Sequence, residues 1–126
     1  MTYKKKIALA ACSGMSPYGL VARVASTDLV AENTEIVSIC MGAIAADKEG
    51  FITLIKKYPI IAINGCESNC TTKILEQKGV KVTKNFNVLE ALDKENLKPR
   101  DVSRLDSEGE VCVDYLKEKI KRDVLG

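Results

Sequence analysis

Three short apolar runs, each followed by a small polar turn and a stretch of helix length, recur along the chain, and each leads to a cysteine. Lys5 to Ala11 runs into Cys12, Glu35 to Ile39 runs into Cys40, and Ile60 to Ile63 reaches Cys66 through Asn64 and Gly65. The cysteines are about 27 residues apart, close to the length of one strand plus one crossover helix. A chain built from such units forms a parallel sheet, and every unit then delivers its thiol to the same edge. Cys70 follows Cys66 within one helical turn.

The segments between the runs read as helices. Ser16 is a suitable N-cap, Pro17 suits a first helical position, and Leu20, Val21, Val24, Leu29 and Val30 supply an apolar face to about Ala31. Met41-Gly42-Ala43 reads as a loop, Asp47 to Tyr58 as a helix with Phe51, Ile52 and Ile55 inward, and Pro59 as its stop. Ser68 or Asn69 can cap a helix from Cys70 to Lys78 that Gly79 ends. Val80–Thr83 and Phe86–Leu89 are two candidates for a fourth strand. Asp93 to Gly109 reads mostly as loop, and Glu110 to Leu125 as a last helix with Leu116, Ile120 and Val124 in register. The order predicts one α/β domain over residues 1–126, with a mostly parallel, Rossmann-like sheet of three to four strands and helices on both faces.

Composition narrows the chemistry. At 126 residues one core suffices, burying roughly two thirds of the unfolded surface. Nineteen basic against 17 acidic residues leave a net charge of +2, too small and dispersed to point to nucleic acid. There is no histidine, so an imidazole base is excluded and a soft-metal site must rely on thiolates. Five cysteines, an odd number, favour reduced thiols in a cytoplasmic protein. Lys4 to Lys6 followed by Ile7 to Cys12 imitates a lipoprotein signal, but its apolar core is shorter than the usual 7 to 15 or so residues. The same run suits a buried first strand. No segment approaches the roughly 18 apolar residues of a membrane span.

Ligands of an open parallel sheet bind at the carboxyl ends of its strands, where Cys12, Cys40 and Cys66 are expected. Cys12 and Cys70 are also expected near helix N-termini, which favour the thiolate. Strands about 4.8 Å apart must lean together at their loops for sulfurs to come within about 3.8 Å, as tetrahedral zinc requires. Cys66 and Cys70 are the surest pair, bracketing a polar Glu67-Ser68-Asn69 segment. Cys40 suits either a ligand or a core position, while Cys112 shares the line of Leu116 and Ile120 and reads as core. Ser13, Gly14 and Ser16 suit a turn and N-cap better than an oxyanion cradle, Lys73 faces out one turn after Cys70, and nothing pairs Glu67 or Asp47.

The set Cys12-Ser13-Gly14, Cys40-Met41-Gly42-Ala43-Ile44 with Glu49-Gly50-Phe51-Ile52, Asn64-Gly65-Cys66 with Cys70, Lys73-Ile74-Leu75 and Gly79 resembles the DGC-domain family over roughly residues 5 to 90. That family takes its name from an Asp-Gly-Cys motif and is associated with zinc held by four cysteines. The resemblance implies Cys12, Cys40, Cys66 and Cys70 as the metal ligands. Asn64 stands where the family has aspartate, which keeps the turn but not the charge. The Cys12 loop also looks like phosphocysteine loops and small phosphatases, yet Tyr18 occupies the position of the phosphatase arginine.

Three chemistries fit these residues. A zinc site of structural or metal- and sulfur-handling role comes first, an iron–sulfur or persulfide protein for electron or sulfur transfer second. The third is a thiol–disulfide enzyme in which Cys66 and Cys70 cycle and Cys12 attacks.

Overall fold

Strands that are apolar at every position need cover on both faces, and two such strands form the centre of the sheet. In a computed structural model, which describes residues 6–12, 16–65, 68–101 and 104–125, β1 (Ile7–Ala11) and β3 (Ile60–Asn64) lie side by side within the order β2-β1-β3-β4. The mixed sequences of β2 (Ile36–Ile39) and β4 (Lys84–Asn87) go to the edges. All pairings are parallel; Ala10 lies opposite Ile39 on one side and Ala62 on the other. The lysine-flanked run that imitates a signal sequence is thus an inner strand of the sheet.

Alternation along the strands sorts the core into two layers. Leu9, Ile61, Ile63 and Phe86 face α1 (Pro17–Glu32), α5 (Val88–Lys94) and α6 (Ser107–Ile120); Ala8, Ala10, Ile60 and Ala62 face α2 (Met41–Ala45), α3 (Glu49–Lys57) and α4 (Cys70–Gln77). The connection from β1 to β2 uses the first face, while those from β2 to β3 and β3 to β4 run the opposite way and use the second. Right-handed crossovers require this division. It leaves a topological switch point at the carboxyl ends of β1 and β3, flanked by α1 on one side and α4 on the other.

The helix starts follow local chemistry. Ser16 caps α1, its Oγ accepting the Gly19 N–H at 3.0 Å, with Pro17 at the first helical position. Gly79, at φ 77°, follows the last turn of α4 as expected. The most buried side of α1 is Val21, Ala22, Ala25 and Leu29, whereas Leu20, Val24 and Val30 are only half-buried; small side chains let the helix approach the sheet.

Several boundaries differ from the sequence reading. Met41-Gly42-Ala43 is not a loop: it opens α2, because Met41 and Ile44 fall on one helical face and are buried there. Asp47, at φ 59°, ends that turn and separates it from α3. The fourth strand is Lys84–Asn87, which starts after the first candidate and shares Phe86 and Asn87 with the second, and Val88 begins α5 in place of continuing a strand. The last helix starts at Ser107, capped by Asp106, whose Oδ1 accepts the Gly109 N–H at 2.6 Å; it closes as a π-helical turn over Lys121–Leu125. Among the described residues no helix is long and apolar enough to cross a membrane.

Candidate metal centre at the carboxyl edge of the sheet

Cys12 is the first residue beyond β1, half-buried, and its N–H donates to the Ile63 carbonyl at 2.9 Å, continuing the β1–β3 ladder by one step. Cys40 is the first residue beyond β2 and is exposed, so it is not the core residue its apolar strand allowed. The pairing of Ala10 with Ile39 brings the two cysteines off adjacent strands within one residue of the same level. Cys70, also exposed, opens α4 beyond the end of β3. Cys66, Glu67, Ser13 and Gly14 lie outside the described residues. Among the described residues no three cysteine or carboxylate side chains gather as a metal cage.

Cys112 lies elsewhere. It is fully buried on α6, in the core layer that α6 shares with α1, and burial, with Glu108 and Asp106 adding to it, pushes its thiol above the usual range. A thiol so held stays protonated and inert. Lys73 is exposed on α4. Asp47 has a partner after all, the Lys78 ammonium at 2.7 Å.

The turn between β3 and α4 explains two residues beside Cys66. Asn64 is 2 % exposed, and its amide meets Thr72 twice. Its Oδ1 accepts the Thr72 N–H at 3.2 Å and its Nδ2 donates to Thr72 Oγ1 at 2.9 Å, while the Thr72 hydroxyl donates to Asn85 Oδ1. Thr72 is the third residue of α4, one of the positions a cap normally satisfies. Asn69 stands at the N-cap position in a left-handed conformation, φ 53°, and makes no capping bond; its Oδ1 accepts from Asn87 Nδ2 at 3.0 Å. The sheet therefore caps α4 through Asn64, and Asn69 ties the same turn to β4. A Cβ on Gly65 would lie 2.8 Å from the Gly19 Cα and 2.9 Å from its nitrogen. The turn after β3 is thus pressed backbone to backbone on the first turn of α1.

Beside Cys40 opens a cavity of about 710 Å³ between α1, the end of β2 and α3. Its polar residues Arg23, Ser26, Thr27 and Ser38 carry no sequence signal, since only the sheet brings α1 and β2 face to face. Thr72 and Asn85 were hidden for the same reason.

The family model described as the DGC domain matches residues 8–113, from β1 into α6. No curated protein and no solved structure matches the chain.

Proposed function

The chain belongs to the DGC-domain family, and from that premise we propose that it holds one zinc ion on thiolates of Cys12, Cys40, Cys66 and Cys70 in a reducing, cytoplasmic setting. The observation that carries this reading is positional. Cys12 and Cys40 leave adjacent strands at nearly one level, and Cys70 opens the helix after the next strand, on the same edge and around the switch point. The donor chemistry fits: with no histidine in the chain, a thiolate set suits a soft ion, and the three described members are each at least partly accessible.

Four thiolates close a tetrahedral zinc and leave no open coordination position, which favours a structural or metal-handling role over hydrolysis. Bound zinc would cross-link the loops after β1, β2 and β3. Asn64 supports this reading of the motif: its side chain is used on Thr72, in a structural task that needs no carboxylate. An iron–sulfur cluster is the second reading, because the same sulfur-only donor set serves it equally.

Elemental analysis with an absorption spectrum, on untagged protein purified without oxygen, tests both. One zinc per chain and no visible band is the expected result; iron with acid-labile sulfide moves the assignment to the cluster. Metal-free protein with a reversible Cys66–Cys70 disulfide makes it a thiol redox protein. Cys66→Ser and Cys70→Ser lose the metal and stability with it. Cys112→Ser keeps the metal and costs only a buried-polar penalty of about 1 to 3 kcal/mol. Full metal retention in the double variant Cys66→Ser, Cys70→Ser would sink the thiolate site.

A further inference from the structure

We propose that the cavity beside Cys40 binds a small organic carboxylate, an apolar body carrying a single negative charge. Its volume, about 710 Å³, lies in the range of small-molecule sites. One wall is polar and cationic: Arg23, Ser26 and Thr27 from α1 and Ser38 from β2. The other is apolar, with Ile39, Met41 and Phe51.

Two features of the polar wall point to a ligand. Ser26 is 4 % exposed, yet its hydroxyl has no hydrogen-bond partner among the described residues, unlike that of its neighbour Thr27, which donates to the Arg23 carbonyl at 2.8 Å. No fully buried side-chain nitrogen or oxygen among the described residues lacks a partner. The Ser26 hydroxyl therefore keeps an opening, and the cavity it lines provides it. A buried donor held open in this way is satisfied by a ligand oxygen or by water. The second feature is Arg23. It is the one charged side chain among the described lining residues, and it makes no ion pair among the described residues. A guanidinium and hydroxyls lining one cavity match a carboxylate, which accepts two parallel N–H bonds and further O–H bonds.

The single cation sets the charge of the ligand. A phosphate monoester brings nearly two negative charges, and the short α2, with five residues, adds no second anion site. The apolar wall then selects a carboxylate with a hydrocarbon body over acetate or a dicarboxylate. None of this rests on the metal: Cys40 contributes only its position at the cavity mouth, with Sγ 4.0 Å from where a Cβ on Gly42 would stand.

Titration of 3-phenylpropionate, and separately of its neutral amide, into the ¹⁵N-labelled full chain tests the proposal. The acid is expected to shift the backbone amides of Arg23, Ser26, Ser38 and Gly42, with the amide about tenfold weaker. Arg23→Gln, a change at an exposed side chain, erases the preference for the acid. Ser26→Ala weakens the acid severalfold. Cys40→Ser keeps the preference even if it releases a metal, so failure of the carboxylate site and failure of the zinc site are separate results. Equal affinity for acid and amide, an unaltered preference in Arg23→Gln, shifts confined to other surfaces, or no binding up to about 10 mM would each overturn the proposal. Tighter binding of phenyl phosphate would overturn the single-charge assignment.

Discussion

Asn64 is the residue on which the turn beside Cys66 depends. It presents an acceptor to the Thr72 N–H and a donor to the Thr72 hydroxyl, and the side-chain donors then run in one direction, from the Asn64 amide through the Thr72 hydroxyl to Asn85. Asn64→Leu keeps the size but leaves the Thr72 N–H without its acceptor and the Thr72 hydroxyl with only its bond to Asn85, and should lower stability by about 1 to 3 kcal/mol in urea denaturation. Asn64→Asp, the residue the family name implies, accepts from both Thr72 groups. It then requires the Asn85 amide to turn its NH2 toward Thr72, and should cost less than the leucine at neutral pH. A leucine variant as stable as the parent would remove the capping role. The sequence carried the turn and the loss of charge at Asn64. It did not carry the partner, because Thr72 is eight positions away and is brought back only by the path of α4. Cys112 was legible as core because its helical line is apolar, and Cys40 was not legible as exposed because an apolar strand does not announce where its last residue points.

Among the elements, those with strong punctuation were readable. Ser16-Pro17, Pro59 and Gly79 mark ends that lie within a residue or two of the observed ones, since proline and left-handed glycine act through backbone sterics that tertiary structure rarely overrides. Elements with weak punctuation were misplaced or missed. β4 reads Lys-Asn-Phe-Asn, poor in strand formers, and is a strand because Ile61–Asn64 offer it a free ladder. α5 had one signal, an Asn87 cap with Glu90 three residues on; the Asn87 Oδ1 does accept the Glu90 N–H at 3.0 Å. The same kind of signal starts α6 at Asp106, earlier than its apolar periodicity indicated. Asp106→Ala should therefore destabilise the fold by about 0.5 to 2 kcal/mol, read from the denaturation midpoint, and Asp106→Asn should recover most of the loss. An alanine variant without effect would mean that α6 is held by packing alone.

At the scale of the whole molecule, α6 is fastened to α1 across the edge of their shared core by charge. Lys117 reaches Glu32 at 2.5 Å and Asp28 at 3.5 Å, and Lys121 reaches Glu32 at 3.3 Å. Its hydrogen bond to Lys117 holds the Glu32 carboxyl below its ordinary value of 4.5. The bond to Glu32 in turn raises Lys117 above its ordinary 10.5. The carboxylate contribution is present above the ordinary acidic range and is lost as pH falls through the lowered value. The lysine contribution is present below the ordinary basic range and is lost as pH rises through the raised one. Lys117→Met should thus lower the denaturation midpoint between those limits, with the difference from the parent closing at both extremes and shrinking in salt. A difference independent of pH would assign the effect to packing of the lysine stem.

The same fastening has a meaning for the chain while it is being made. Lys117 and Glu32 are 85 positions apart, whereas every residue of the layer under α2, α3 and α4 has been synthesised by Val82. A nascent chain on the ribosome can close that layer early, but Val21, Ala22, Ala25 and Leu29 of α1 wait for Val113, Leu116 and Ile120. Between the synthesis of β3 and that of α6, one side of the sheet has α1 in place without its full cover. That interval is when the polypeptide offers the most sticky surface to chaperones and to other growing chains.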